Sequence, residues 1–155
     1  MKTSIIISLL ACFVTTLLSS FLTTDDSFFS NPISKPLSDD RVMIEGVFKN
    51  YFDGWLTGDT TLIGSAMHKS CHLKFIRDGK VDKRNRTQYL SNFNPISRIE
   101  NAEGRIIDID ITRTAASAKV ELEIPSKLFT DYFNLLKVDD RWYITDKVST
   151  SIHKN

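Results

Sequence analysis

The sequence predicts one α+β domain, in which helices come first and an antiparallel meander of strands follows. Residues 38–56 carry apolar side chains at helical spacing, whereas apolar and polar residues alternate from residue 105 onward. Because the two periods are segregated along the chain, an alternating α/β architecture is not expected. The length of 155 residues allows one domain with a real core and is too short for two ordinary domains.

The first 22 residues predict a signal peptide. Lys2 precedes an apolar stretch, residues 5–22, that only Ser and Thr interrupt, which is typical of an export signal. Two alternatives stay open. The stretch is just long enough to anchor the chain in a membrane, and Cys12 follows a small residue as in lipid-modified proteins. We expect a secreted or periplasmic protein without membrane contact after cleavage, with an anchor through residues 5–22 as the alternative.

Residues 23–37 predict a flexible linker. They contain two prolines and several polar residues and show neither a helical nor a strand period. The folded domain is expected to span residues 38–152.

A long helix is predicted from Ser38 to Leu56. Ser38, Asp39 and Asp40 offer capping oxygens and negative charge to its first turn. Apolar residues then recur at the spacing of one wide helical face, which must pack on a sheet. They are Ile44, Val47, Phe48, Tyr51, Phe52, Trp55 and Leu56.

Two short helices are expected after this long one. Gly58 can adopt the left-handed conformation that ends a helix, and Asp59 can cap the next one. The apolar face of this second helix consists of Leu62, Ile63, Ala66 and Met67. A third helix is predicted over residues 87–93, where Asn94-Pro95 stops it.

The remaining residues predict strands. Asp78-Gly79 indicates a two-residue hairpin turn between residues 71–77 and 80–83. From Arg105 onward, two half-exposed strands place their apolar residues on one face. These residues are Ile107, Ile109 and Ile111, and then Ala118, Val120, Leu122 and Ile124.

Two further strands close the domain. Residues 129–138 are apolar on both faces, which predicts a central strand. Asp139-Asp140 turns the chain into a last strand that begins at Arg141 and ends near Ser149.

The charge balance argues against nucleic acid as a partner. Twenty Lys and Arg stand against nineteen Asp and Glu, so there is no electrostatic footprint for a polyanion. The basic stretch over residues 77–86 is interleaved with Asp78 and Asp82 and is interpreted as a solvated hairpin rim. If residues 1–22 are removed, Cys71 is the only cysteine, so no disulfide can form within the domain.

Asp131 is the candidate catalytic residue. Its neighbours on the same face of the predicted strand are Phe129 and Phe133, and a carboxylate among aromatics is desolvated, which favours the protonated form that a general acid needs. The alternative, which we prefer, is a structural role in which Asp131 bonds a backbone amide or a basic side chain. Lys137 lies on the same face but about 20 Å away, too far to pair directly.

The aromatic residues of the long helix have two interpretations. Tyr51 and Trp55 each carry one polar atom on the apolar face. They either orient a ligand in a cavity or bond to the sheet as core residues, and the core interpretation is preferred. Trp142 is expected to pack against this helix.

His68, Cys71 and His72 do not predict a metal site. A histidine pair four residues apart on a helix is half of a zinc site, but Lys69 occupies the position of the metalloprotease glutamate, and no third ligand follows. Cys71 and His72, as neighbours in a strand, project to opposite faces and cannot act as a nucleophile pair. His68 remains a candidate hydrogen-bonding residue at a pocket rim. We expect no metal and no cofactor.

Several segments together resemble the putative lumazine-binding family of the nuclear transport factor 2-like superfamily. They are Tyr51-Phe52-Asp53-Gly54-Trp55, Gly58-Asp59, Ala66-Met67-His68 and the closing segments 129–137 and 141–147. The resemblance runs from about residue 40 to residue 152. It implies a conical fold in which a curved antiparallel sheet wraps the long helix and leaves a cavity at the open end. Because one fold hosts many functions, the family name is not taken to identify the ligand.

Three functions follow as hypotheses. The preferred one is a non-catalytic domain that binds a small apolar or aromatic molecule; the candidate ligand-binding residues are Tyr51, Trp55, His68, Phe75, Phe133 and Trp142. The second is an isomerase, cyclase or hydrolase type of enzyme that uses Asp131 as acid or base. The third is a homodimer through the sheet face around Thr130, Tyr132, Tyr143 and Thr145.

Overall fold

The computed structural model describes residues 37–154 of the chain. The signal peptide expected over residues 1–22 lies outside the described residues, as does the linker expected over residues 23–37 except for its last residue, Leu37, which begins the first helix. The helices are α1 (Leu37–Thr57), α2 (Thr60–Ala66) and α3 (Arg86–Leu90), and the strands are β1 (Met67–Arg77), β2 (Lys80–Asn85), β3 (Glu103–Thr112), β4 (Ala115–Ile124), β5 (Lys127–Val138) and β6 (Arg141–His153).

The six strands form one curved sheet in the order β2-β1-β6-β5-β4-β3. The four strands after residue 103 are the predicted antiparallel meander, and β5 is central as expected. One pair differs from a fully antiparallel sheet, because β1 runs parallel to β6. The α+β prediction is therefore confirmed, with a mixed sheet.

The long helix packs its apolar face on the inner face of the sheet. Ile44, Phe48, Tyr51 and Leu56 of α1 are completely buried. The rings of Phe48 and Tyr51 pack against the ring of Phe133 on β5 in T-shaped pairs, at centroid distances of 5.3 and 5.2 Å. Burial of four such side chains contributes roughly 6–12 kcal/mol as an upper estimate. Helix propensity contributes much less, so this contact fixes where α1 lies.

The first turn of α1 is tied to the end of the meander by Asp40. Its Oδ1 accepts hydrogen bonds from Lys137 Nζ at 2.7 Å and from Trp142 Nε1 at 3.1 Å. Asp40 is therefore buried in an ion pair, rather than serving only as the capping charge predicted for the helix start. As expected, Trp142 contacts the helix.

Three local predictions differ from the structure. Met67 was expected on the second helix but begins β1, because it pairs with Ile144 of β6. The third helix ends at Leu90, since the Asn92 side chain donates hydrogen bonds to the last carbonyls, those of Gln88 and Tyr89. Ile107 is exposed, because the pairing of β3 with β4 shifts between residues 106 and 108 and breaks the predicted alternation.

No helix within residues 37–154 is both long and apolar enough to cross a membrane.

The turn after α1 requires a glycine. Gly58 has a φ of 67°, and a Cβ atom there would lie 1.9 Å from the carbonyl oxygen of Asn94. The chain after α3 passes this close because Ile96 and Ile99 donate hydrogen bonds to the last carbonyls of the helix, those of Thr57 and Leu56. The turn that ends α1 and the loop that packs on it therefore require glycine at position 58, because there is no room for a Cβ atom.

We expect Gly58→Ala to lower the free energy of unfolding by more than about 2 kcal/mol, because it adds a backbone clash to the strain of the left-handed conformation. Urea denaturation measures the loss. Gly79→Ala is the matched control, since Gly79 has a φ of 73° but no atom within 4 Å of the added Cβ, and should cost only about 1 kcal/mol. Equal losses in the two variants would contradict the clash.

Candidate functional site

A cavity of about 720 Å³ lies between the helices and the inner side of the sheet. This volume is within the range of small-molecule sites. Six aromatic residues contribute to its wall: Trp55 from α1, Phe75 from β1, Tyr89 from α3, Phe93 from the loop after α3, and Phe129 and Tyr132 from β5. The wall of the cavity is therefore largely aromatic and includes a small number of polar groups.

The cavity lies where two neighbouring strands separate. The parallel pairing of β1 with β6 ends at Phe75 and Ser149. Strand β6 continues to His153 and pairs there with β5 alone. The hairpin of β1 and β2 thus leaves the sheet at this level, and the wall of the cavity includes both the hairpin and the end of β6.

Asp131 lies at the wall of the cavity and has no exposed surface. Its Oδ1 accepts a hydrogen bond of 2.5 Å from the hydroxyl of Ser149, the residue directly opposite on β6. Its Oδ2 receives no well-directed hydrogen bond among the described residues, and the Nζ atom of Lys147 lies 2.6 Å away. The desolvation predicted for Asp131 is present, but a buried ammonium group balances its charge.

Lys147 is 4% exposed and is surrounded by aromatic rings. Its Nζ lies 5.3 Å from the ring centres of Tyr51 and Phe133 and 5.6 Å from that of Tyr89. It donates a hydrogen bond of 2.7 Å to the hydroxyl of Tyr51, which lies 2.7 Å from the hydroxyl of Tyr89. A continuous chain of polar groups therefore leads from Asp131 through Lys147 and Tyr51 to Tyr89.

The charges of this cluster depend on their neighbours. Burial raises the pKa of Tyr51 well above 10.0, and the nearby oxygens of Tyr89 and Asp131 add to the effect. Burial alone would lower the pKa of Lys147, but the oxygens of Tyr89 and Asp131 outweigh it, so that this pKa is raised. The cluster thus consists of neutral hydroxyls and one ion pair with no net charge, which suits hydrogen bonding to a polar group of a ligand.

The structure separates the predicted site residues into three groups. Asp131, Trp55 and Phe75 line the cavity. Tyr51 and Phe133 lie behind its wall and contact Lys147. His68 and Trp142 neither line the cavity nor contact Lys147.

His68 and Trp142 lie away from the cavity. The Nδ1 atom of His68 is 2.7 Å from the hydroxyl of Ser70, and its ring lies beside Tyr143 with centres 5.9 Å apart. The indole nitrogen of Trp142 donates its hydrogen to Asp40. The Nδ1 atom of His68 and the indole N–H group of Trp142 are therefore occupied by protein contacts.

The histidine pair lies on a strand, not on a helix as considered from the sequence. Because both residues lie on β1, whose pairing with β6 shifts between Met67 and His72, they do not have the arrangement of two residues on one helical face. Within residues 37–154, no group of three or more His, Cys, Asp or Glu is arranged to hold a metal ion. Burial, together with Asp146, raises the pKa of the Cys71 thiol to about 12, so this cysteine is a poor nucleophile.

Three residues of the polar cluster around Asp131 were missed from the sequence: Lys147, Ser149 and Tyr89. In β6, Trp142 and Ile144 face the core, and strict alternation would place Asp146 inward next. However, the pairing shifts between Asn134 and Leu135, so Ile144 and Asp146 pair with consecutive residues of β5 and Thr145 is extra. This bulge turns Lys147 to the inside, opposite Phe133. The neighbours of Lys147 in the sequence are Asp146 and Val148, so no local pattern signalled that Lys147 faces inward.

A second depression of about 370 Å³ lies beside α1 and β3. Its polar groups are already paired, because Lys49 and Arg98 both bind Asp53, at 2.6 and 3.0 Å. The pKa of the Asp53 carboxyl is lowered, mainly by the hydrogen bond from Lys49 and further by Arg98. We therefore assign the candidate site to the larger, aromatic cavity.

Comparison with known proteins places the fold. The model of a family described as "Putative lumazine-binding" matches residues 39–149. No curated protein matches the chain.

Solved structures share the architecture. A nuclear transport factor 2-like protein of unknown function from Shewanella baltica OS155 has a TM-score of 0.71 at 26% identity, over 76% of this chain and 98% of that one. A protein of the same description from Methylobacillus flagellatus KT has a TM-score of 0.63 at 28% identity, over 79% and 98%. A third, from Silicibacter pomeroyi DSS-3, has 0.64 at 14% identity, over 76% and 98%.

We expect Lys147→Met to lower the free energy of unfolding by about 3–5 kcal/mol, because it leaves the carboxylate of Asp131 buried without its counter-charge. Adding Asp131→Asn to this variant should restore at least about 1 kcal/mol, since the second change removes the uncompensated charge. Urea denaturation at pH 7 measures both. If the double variant is less stable than Lys147→Met alone, the ion pair is not the source of the loss.

Stability should also fall at alkaline pH. Above pH 10.0, the ordinary pKa of tyrosine, an unfolded chain loses the Tyr51 proton while the folded protein keeps it. The folded state then binds more protons than the unfolded state, so the free energy of unfolding decreases as pH rises. Lys147 acts in the same direction above its ordinary value of 10.5.

In Tyr51→Phe, the alkaline decrease should be shallower by up to about 1.4 kcal/mol per pH unit. Denaturation curves between pH 8 and pH 12 give the two slopes, which are compared independently of the stability at neutral pH. Identical slopes would show that Tyr51 ionises equally in both states.

Proposed function

The chain belongs to the putative lumazine-binding family, and from this premise we propose that it is an exported, non-catalytic domain that binds a small apolar or aromatic molecule in the cavity beside Asp131. The single observation that carries the proposal is the cavity itself. It has about 720 Å³ of space, an aromatic wall and one cluster of convergent polar groups, which is the typical composition of a small-molecule site.

The arrangement of Asp131 supports binding over catalysis. An acid or base of an isomerase, cyclase or hydrolase must exchange a proton with the substrate. Here one carboxylate oxygen accepts the Ser149 hydroxyl, and the other faces the Lys147 ammonium group at 2.6 Å. These contacts hold the carboxylate in one orientation, in which it serves as a hydrogen-bond acceptor.

A homodimer through the sheet is a second component of the proposal. Tyr132 and Val148, which also border the cavity, lie opposite each other on β5 and β6, and they are 54% and 48% exposed. An exposed apolar pair in the middle of a sheet favours contact with another surface. The sequence-based candidate surface also included Thr130, Tyr143 and Thr145.

Native mass spectrometry of the full chain, purified from the medium or periplasm of an expressing host, tests binding, export and assembly together. We expect a mass increment that disappears under denaturing conditions, together with cleavage near residue 22. A bare protein mass, combined with no binding of the neutral apolar dye Nile red, would overturn the binding proposal.

The cavity should determine dye affinity. Phe129 lines the cavity and packs against Trp55 with ring centres 5.5 Å apart. We expect Phe129→Ser to weaken Nile red binding about tenfold, which corresponds to the loss of about 1.4 kcal/mol of apolar contact. Fluorescence titration measures the dissociation constant.

The matched control is Ile107→Ser, which removes an apolar side chain that is 48% exposed on β3 and does not line the cavity. Its affinity for Nile red should stay within about twofold of the unmodified chain. If both variants weaken binding equally, the dye binds the exposed apolar surface and not the cavity.

A further inference from the structure

We propose that the ligand is an amphipathic monocarboxylate, whose apolar or aromatic body fills the cavity and whose carboxylate binds Arg84 at the rim. This inference rests on the proposed function and specifies its ligand class. It starts from the one cationic side chain of the cavity wall that has no anionic partner among the described residues.

The fold turns Arg84 toward the cavity. Arg84 lies on β2 directly opposite Leu73 of β1, and opposite residues of paired strands share one face. Leu73 is buried and lines the cavity, as does Phe75 two residues further along β1. Arg84 is itself half-buried in this wall. The sequence-based interpretation of a solvated rim therefore does not describe this residue.

The guanidinium group of Arg84 is held by stacking and keeps its hydrogen-bond donors. Its central carbon lies 5.1 Å from the ring centre of Phe75. A cation over a ring uses the face of the guanidinium, and its N–H groups point outward from the edge. No hydrogen bond or ion pair joins Arg84 to any residue within the described range.

Arg77 provides the contrast. Its guanidinium also lies 5.1 Å from the ring centre of Phe75, but its NH1 atom is 3.1 Å from Asp82. One arginine beside Phe75 is therefore neutralised within the protein, and the other is not.

The charge of the cavity wall indicates the charge of the ligand. Its charged side chains are Arg84, Asp131 and Lys147, of which the last two cancel in their ion pair. One positive charge remains, next to an aromatic, low-dielectric wall that strengthens its attraction for an anion. A carboxylate matches a single guanidinium through two parallel hydrogen bonds, whereas a phosphate dianion would leave one charge uncompensated.

Isothermal titration calorimetry with two probes of similar shape tests the proposal. The probes are 2-naphthoate, which is anionic, and 2-naphthalenemethanol, which is neutral. We expect the folded full-length chain to bind 2-naphthoate about tenfold more tightly than the alcohol, and Arg84→Gln to abolish this preference while leaving the affinity for the alcohol within about twofold. Arg84→Lys should retain part of the preference, because it keeps the positive charge. It should not retain all of it, because lysine lacks the planar guanidinium that forms two parallel hydrogen bonds with a carboxylate.

Lys83→Gln is the charge-matched control. Lys83 is exposed and lies next to Arg84 on the opposite face of β2, so its loss changes the net charge equally without altering the cavity wall. Its affinities for both probes should stay within about twofold of the unmodified chain. Circular dichroism melting curves check that each variant is folded.

The outcomes separate the two proposals. Equal affinity for the two probes, or equal weakening of 2-naphthoate binding by Arg84→Gln and Lys83→Gln, would overturn the carboxylate inference and leave the binding function intact. If neither probe binds and native mass spectrometry shows a bare chain, the binding function is overturned, and the carboxylate inference with it.

Discussion

One buried ammonium group, that of Lys147, connects two helices and the two central strands at the inner end of the cavity. It lies among the rings of Tyr51 on α1, Tyr89 on α3 and Phe133 on β5. Burying an ammonium ion costs several kcal/mol unless an anion and hydrogen-bond acceptors compensate for the lost water. Asp131 and the hydroxyl of Tyr51 provide them, so the position of the long helix, the two central strands and the inner end of the cavity are mutually dependent.

The features that were predictable from the sequence are those that repeat along the chain. The helical period of residues 38–56 and the alternation after residue 105 determine α1 and the meander. The placement of Asp131 between Phe129 and Phe133 also predicted its burial correctly. Lys147 was not predictable in this way, because the extra residue Thr145 inverts the inward and outward faces of β6.

Arg84 illustrates a second limit of sequence reasoning. In a basic stretch, periodicity alone does not distinguish a solvated lysine from an arginine turned inward. The orientation of Arg84 is decided by the pairing of β2 with β1, which places Arg84 opposite the buried residue Leu73. This pairing depends on the hairpin turn at Asp78-Gly79, which was predicted, but the depth of the cavity beneath it is a property of the whole fold.

The early end of pairing between β1 and β6 divides the domain into a constant part and an adjustable part. Beyond Phe75, the hairpin is bonded to itself and no longer to β6. A change in its inclination would therefore break no backbone pairing of the meander. Insertions, deletions or substitutions near the hairpin tip would alter the capacity of the chamber at little cost in stability, so ligand choice could diverge between relatives while the same hydrophobic interior is retained.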